Sequence, residues 1–292
     1  MSFGLLDNLK NIIQAGRDKN LSVEYIKIGL KEMLIYYTLN FIYNSPKWNK
    51  LIFGGGTALK IIGKTARLSE DLDMDYLGGK FDSNKFLLDL AGYFKQLGLD
   101  DISYSSKQNG KIIVLKFPVL KKLGLAKNIK SESDLLYLKI EIEKNKYSAY
   151  GTKATPITKD NLFFVVKNYD LETLFANKIG AIMGRKDKVF QDKFDFRAPD
   201  FYDLIWFLEN GIKPNLKRVQ QIIKAEQGKA VKNYDDVWQL IQKRIENIDT
   251  KGIYADMKNL VESPEGIKQL ADNYLDIYND LVKKFKDTKP QK

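Results

Sequence analysis

The chain has 292 residues, 44% of them hydrophobic and 12% aromatic, which is enough for the packed cores of one large or two smaller domains. It has no cysteine and no histidine, which excludes disulfide frameworks, Cys/His zinc sites and catalysis that depends on histidine. A net charge of +11, from 48 Lys and Arg against 37 Asp and Glu, favours a polyanionic partner such as nucleic acid. A lysine-rich genome would also raise the basic content, and the lysines are scattered rather than gathered in one tract.

The first ten residues lack the charged region and the long apolar run of a signal peptide. No apolar run approaches the roughly 18–20 residues that a membrane span needs. We therefore expect a cytoplasmic protein with no membrane partner.

In chain order, the patterns predict alternating helices and strands in the first part of the sequence. The predicted elements are a helix over 22–44, a strand over 51–53, a helix over 57–62, a strand over 71–76, a helix over 84–97, a hairpin of 103–106 with 111–117, and strands over 135–143 and 162–167. The helical period then dominates, over 170–184, 199–210, 215–226, 234–247, 252–262 and 265–284. The sequence thus predicts an α+β chain with an α/β domain over 1–168 and a helical domain over 169–292.

A glycine-rich turn follows the strand that ends at Phe53. Gly54, Gly55 and Gly56 let the backbone approach a phosphate closely and present N–H groups to it, and Thr57 opens the next helix. Taken alone, such a turn also occurs in proteins that bind no phosphate.

The next strand is acidic at every second position. Because side chains alternate along a strand, Asp71, Asp73 and Asp75 project to one face, with Cα atoms of neighbouring acids roughly 6–7 Å apart. Oxygen ligands without Cys or His suit Mg²⁺ or Mn²⁺. Taken alone, this pattern also suits a solvated edge strand. Together, a turn that can bind phosphate and carboxylates that can bind a metal ion predict a site at which a nucleotide phosphate is attacked.

The string Gly55-Gly56-Thr57-Ala58-Leu59, followed by Arg67-x-Ser69-x-Asp71-x-Asp73, resembles the AbiEii/AbiGii toxin family of the nucleotidyltransferase superfamily. The resemblance implies a nucleotidyltransferase-type mixed sheet with flanking helices in the N-terminal half. It implies nucleotide binding by Gly55, Gly56, Thr57, Arg67 and Ser69, with Arg67 and Ser69 near the triphosphate. It also implies metal binding and catalysis by Asp71 and Asp73.

Many members of the superfamily have a third carboxylate on a neighbouring strand. Glu141 is the candidate for this metal ligand here, with Glu143 on the same face of the strand. The alternative is that both are the solvent-facing side of an amphipathic strand.

Lys178 lies in the apolar stripe of the helix over 170–184, at a core-facing position. It either extends to the edge of the core or lines a cavity and meets an anionic phosphate. The resemblance implies the second, with Arg185 following and the segment Pro199-Asp200-Phe201-Tyr202-Asp203-Leu204 close by in sequence. Pro199 stands where the family usually has Arg.

Asp200 has two interpretations. It complements the N-terminal dipole of its helix, or it serves catalysis by holding Lys178 or activating the acceptor hydroxyl. Asp203 is the second candidate for that role.

As a whole, the resemblance implies a metal-dependent toxin of a toxin–antitoxin pair in abortive infection, a form of phage defence. It would transfer NMP from NTP to RNA, at the tRNA 3′ end, and a cognate antitoxin would neutralise it. The alternatives are transfer to a small molecule or a protein hydroxyl, and a non-catalytic protein that binds nucleic acid or an antitoxin.

Overall fold

The computed structural model describes residues 4–125, 134–184, 197–246 and 250–287. The chain divides into two compact units. The first comprises Met1–Asn145 and Thr152–Asn168, and the second comprises Lys146–Gly151 and Tyr169–Lys292. Residues 146–151 therefore group with the helical part of the chain.

The first unit is built on a mixed sheet of seven strands. The predicted fold class, an α+β chain with a mixed sheet and flanking helices, is confirmed. The strands are β1 (Ile52–Gly54), β2 (Asp71–Tyr76), β3 (Ser103–Lys107), β4 (Ile112–Phe117), β5 (Leu136–Lys144), β6 (Thr152–Lys159) and β7 (Leu162–Tyr169). Its helices are α1 (Leu5–Asp18), α2 (Val23–Tyr43), α3 (Gly55–Gly63) and α4 (Ser83–Gln96).

The order of the strands, β3-β4-β5-β2-β1-β7-β6, places β1 and β2 inside the sheet. Strand β2 runs antiparallel to β1 and parallel to β5. Residues that alternate with the acids, among them Leu72 and Met74, are buried together with Ile140 of β5. The apolar face of this amphipathic strand therefore faces the core, and its acidic face remains accessible.

The second unit consists largely of helices. They are α5 (Leu171–Gly184), α6 (Ala198–Glu209), α7 (Leu216–Gln227), α8 (Tyr234–Ile245), α9 (Thr250–Met257), α10 (Glu265–Asp272) and α11 (Tyr274–Asp287). Their core contains the stacked rings of Phe175 and Phe207, with centroids 4.4 Å apart, and the buried Trp238. Packing of apolar faces around these rings holds α5, α6 and α8 together.

Three elements differ from those predicted. Helix α1 and strand β6 were not expected, and the predicted helix over 265–284 is interrupted at Asn273, which caps α10 before α11 begins. Strand β6 lies at the edge of the sheet, where Pro156 is tolerated because one side of an edge strand needs no partner. In the described part of the chain, no helix combines the length and the apolar character that crossing a membrane requires.

Candidate active site

The turn from β1 into α3 is packed directly against the acidic strand. Gly55 has a φ of +70°, and a Cβ built on it would lie 1.7 Å from Asp73 Oδ2. Gly54 is the register partner of Asp73 across the β1–β2 pair. Only glycine allows both this backbone conformation and this close approach. The turn is therefore packed in direct contact with the Asp73 carboxylate.

The other predicted nucleotide-binding residues of the first unit surround the start of α3. A Cβ on Gly56 would lie 2.8 Å from Arg67 Nη2 and 3.2 Å from Ser69 Oγ. The Thr57 hydroxyl lies 2.9 Å from Ser69 Oγ and donates to the carbonyl of Asp71. The start of a helix carries partial positive charge and favours phosphate, and Arg67 adds a full positive charge beside it.

The predicted metal ligands of the first unit lie on adjacent strands. Asp71 and Asp73 share the accessible face of β2, and Asp73 is the register partner of Glu141 on β5. In chemical type, three carboxylates fit Mg²⁺ or Mn²⁺.

Lys139 occupies the space between two of these carboxylates. It is the register partner of Asp71, its Nζ lies 3.0 Å from Asp71 Oδ2, and it also forms a close ion pair with Glu141. Burial alone would lower the pKa of Lys139, but the hydrogen bonds and charges of Glu141 and Asp71 outweigh it and leave the pKa raised. An ammonium group therefore acts as the cation between these two acids.

Within the described ranges, no group of three or more acidic, His or Cys side chains is gathered as it would be around a metal ion. Asp71 and Asp73 share one face of β2, and Lys139 holds both Asp71 and Glu141. The residues thus fit a divalent ion by chemistry, and Asp71 and Glu141 could join it only after exchanging their shared partner.

In the second unit, Lys178 of α5 is paired with two acids of α6. Its Nζ lies 2.8 Å from Asp200 Oδ1 and 2.8 Å from Asp203 Oδ2. The side chains are 12%, 7% and 0% exposed, in the order Lys178, Asp200, Asp203. The cap position of α6 is Arg197 rather than Asp200. Arg185, which the resemblance also implicated, lies outside the described residues.

Sequence reasoning overlooked Lys139. The signal was present, since Lys139, Glu141 and Glu143 alternate on one face of a strand, but only the register with β2 brings Lys139 to Asp71.

Most of the chain matches the model of a known protein family. Residues 40–278 match the family described as "Nucleotidyl transferase AbiEii toxin, Type IV TA system". No curated protein matches the sequence.

A solved structure of a nucleotidyltransferase toxin has a similar fold. The nucleotidyltransferase toxin MenT4 from Mycobacterium tuberculosis gives a TM-score of 0.56 at 13% identity, covering 94% of this chain and 91% of that one. JHP933 from Helicobacter pylori gives a TM-score of 0.49 at 16% identity, covering 89% of this chain and 93% of that one. Because the family match spans most of the sequence, the chain belongs to the AbiEii family of nucleotidyltransferase toxins.

Proposed function

We propose that this protein transfers NMP from NTP to an RNA acceptor, the tRNA 3′ end, and releases pyrophosphate with the help of Mg²⁺ or Mn²⁺. The observation that carries the proposal is the packing of the Gly55 turn against Asp73. It joins a phosphate-binding backbone to a carboxylate of the acidic strand. The excess of positive charge, +11, supports a polyanionic acceptor over a small neutral one.

In this proposal, the backbone N–H groups of Gly55 and Gly56 bind phosphate oxygens of the NTP. Arg67 and Ser69, beside Gly56, neutralise and orient the triphosphate. Binding on one rigid turn restricts the α-phosphate to one orientation, which favours attack in line with the departing pyrophosphate.

Asp71 and Asp73 would hold the divalent ion, with Glu141 as the third candidate. When bound, the ion supplies charge that stabilises the attacking and leaving oxygens. Lys178 has the catalytic and nucleotide-binding role that the resemblance implies. Asp200 holds Lys178 or accepts the proton of the acceptor hydroxyl, with Asp203 as the alternative.

As a toxin of a type IV system, the protein would be neutralised by a cognate antitoxin, in the context of phage defence. NTP and tRNA would meet it in the cytoplasm.

Incubation with each α-labelled NTP, Mg²⁺ and total RNA tests the proposal. Gel separation of RNA, protein and small products should place the label in the tRNA fraction. Label in protein or in a small product would replace the RNA acceptor with one of these alternatives. No label in any fraction with any of the four NTPs would favour a non-catalytic binding protein. Chelation of the divalent ion should abolish the transfer.

A further inference from the structure

The first unit has a concavity at the end of the two central strands that lies away from the glycine turn. It has a volume of about 380 Å³ and is bounded by Leu51, just before β1, and by Tyr76, the last residue of β2. Tyr76 lies five positions after Asp71 and three after Asp73, which corresponds to about 17 Å and about 10 Å along a strand. Neither acid lines the concavity. The concavity is thus separate from the candidate active site, and its volume lies within the range of about 300–1,000 Å³ for small-ligand pockets.

One wall of this pocket is aromatic. Tyr76 and Phe81 are stacked with centroids 5.7 Å apart, and Trp48 packs against Phe81 at 5.5 Å. Trp48 is buried and supports the other two rings, which are only half-buried. Rings fixed in this way offer a stacking surface at little cost in conformational entropy.

The rim of the pocket is basic. Lys47 is paired with Asp89, at 3.0 Å, and lies over the Trp48 ring. The other three lining lysines have no acidic partner within the described part of the chain. They are Lys50, Lys80 and Lys167.

Among the described residues, one acid lines the pocket. It is Asp82, whose carboxylate accepts a hydrogen bond from the Lys85 N–H at the start of α4. The charge around the pocket is therefore positive, which favours an anionic ligand.

We infer that this pocket binds one nucleotide of a single-stranded segment of the RNA acceptor. The base stacks on Tyr76 and Phe81, and the flanking phosphates pair with Lys50, Lys80 and Lys167. Unpaired bases are recognised by stacking on aromatic side chains, and lysines track the backbone charge. A phosphopeptide would favour arginines, whose planar groups bind phosphate in a bidentate manner, and the pocket is lined by lysines instead.

The inference rests on the proposed RNA acceptor. It adds a second RNA-binding site, separate from the candidate active site at Asp71 and Asp73. A nucleotide held here would restrict which part of the RNA can reach Asp71 and Asp73. The pocket would thus contribute to binding and acceptor choice rather than to the chemical step.

The test measures binding of a fluorescently labelled single-stranded oligoribonucleotide to the full chain, by anisotropy, without NTP or divalent ion. The pocket variant carries Lys50→Gln, Lys80→Gln and Lys167→Gln. A control variant carries the same charge change at exposed lysines outside the pocket, namely Lys107→Gln, Lys121→Gln and Lys153→Gln.

We expect the pocket variant to bind at least tenfold more weakly than the control variant. The slope of log K against log salt should fall in magnitude by about 1.4, because the two phosphates that flank one nucleotide release about 0.7 counterion each from single strands. Phe81→Leu should weaken binding by about tenfold through lost stacking, with little change in the salt slope.

Equal weakening in the two triple variants would overturn the inference, since it would reflect overall charge alone. So would free AMP that binds as tightly as the oligonucleotide and loses that binding in the pocket variant. Binding of an acidic phosphopeptide in place of the oligonucleotide, again lost in the pocket variant, would also overturn it. If the pocket variant kept its RNA affinity and still labelled RNA normally, the RNA-binding role of the pocket would be refuted. The proposed RNA acceptor would stand. A wild-type protein that neither binds nor labels RNA would refute the proposed acceptor as well.

Discussion

Lys139 Nζ lies 3.0 Å from Asp71 Oδ2, so an ammonium group of the neighbouring strand neutralises a carboxylate of the acidic strand. A divalent ion bound by Asp71 must compete with this positive charge, and Glu141 is held by the same lysine. We expect Lys139→Met to raise the affinity for Mn²⁺ by about tenfold, because one repelling charge within about 4 Å in a partly exposed site is worth at least about 1 kcal/mol. Electron paramagnetic resonance of free Mn²⁺ measures this directly.

Lys111→Met is the matched control for that measurement. Lys111, the residue before β4, pairs with Glu143 of β5 at 3.4 Å, and its loss should leave Mn²⁺ affinity unchanged. An unaltered or weaker affinity in Lys139→Met would show that Lys139 does not compete with the ion.

Asp71→Asn and Asp73→Asn should each abolish label transfer with little effect on stability. Asp71 is partly exposed, and the loss of a partly exposed ion pair should change the free energy of unfolding by less than about 1 kcal/mol. Label transfer and urea denaturation measure the two effects. Asp160→Asn is the control, because it removes the similarly exposed acidic partner of Lys159. It should leave both label transfer and stability unchanged. Wild-type transfer by either aspartate variant would refute its role as a metal ligand.

Gly55→Ala should abolish transfer and lower stability, because its Cβ would displace the Asp73 carboxylate. The positive φ alone costs an alanine about 1–2 kcal/mol. Gly98→Ala isolates that cost, since Gly98 also has a positive φ, +84°, and nothing lies within 4 Å of an added Cβ. If both variants lost the same stability and Gly55→Ala remained active, the close packing of the turn would have no catalytic consequence.

Lys178→Met should lower the free energy of unfolding by about 3–5 kcal/mol, because it leaves two buried carboxylates without their shared cation. Inactivity of this single variant would therefore not separate catalysis from folding. The triple variant Lys178→Met, Asp200→Asn, Asp203→Asn removes all three charges together and should recover much of the stability.

Thermal unfolding and label transfer on that triple variant separate the two roles. We expect it to be folded and inactive. Recovery of transfer together with stability would assign Lys178 and its two acids to the core of the second unit alone.

Glu32 on α2 provides a prediction on pH. Its Oε2 is buried with no hydrogen-bond partner in the described ranges, and burial raises its pKa above 4.5, against the opposing effect of Lys60 and Lys159. A raised folded pKa means that protonation stabilises the fold. This contribution is complete below the unfolded pKa and is lost as the pH rises through the folded value.

Glu32→Gln should therefore raise the free energy of unfolding at pH 7 by about 1 kcal/mol, and the gain should shrink as the pH falls toward 4.5. Urea denaturation across this range measures it. A gain that is constant with pH would contradict ionisation as the cause.

The local patterns were sufficient to predict the glycine turn and the acidic strand, because each is encoded within about 25 residues. The packing of the turn against Asp73 follows from the register of β1 and β2. Lys139 could not be placed in the same way. Strands β2 and β5 are parallel and separated by a long connection, and sequence does not reveal their register. Likewise, the pairing of Lys178 with both Asp200 and Asp203 depends on how α5 packs against α6.

The edge strand β6 and the break between α10 and α11 could not be predicted from local sequence patterns either. Strand β6 carries Pro156 and few buried residues, so neither its composition nor its alternation distinguishes it from a loop. The break at Asn273 falls within an amphipathic period that continues on both sides.

Strand β2 is hydrogen-bonded to β1 on one side and to β5 on the other. Amide protons at Leu72 and Met74 should therefore exchange with deuterium only when the whole first unit opens, rather than by local fraying. Asp71 and Asp73 extend from this protected strand and cannot drift apart while the unit is folded. A drug-like ligand or an antitoxin that inhibits by melting β2 would have to oppose the full stability of the unit, so blocking the accessible face is the less costly route to inhibition.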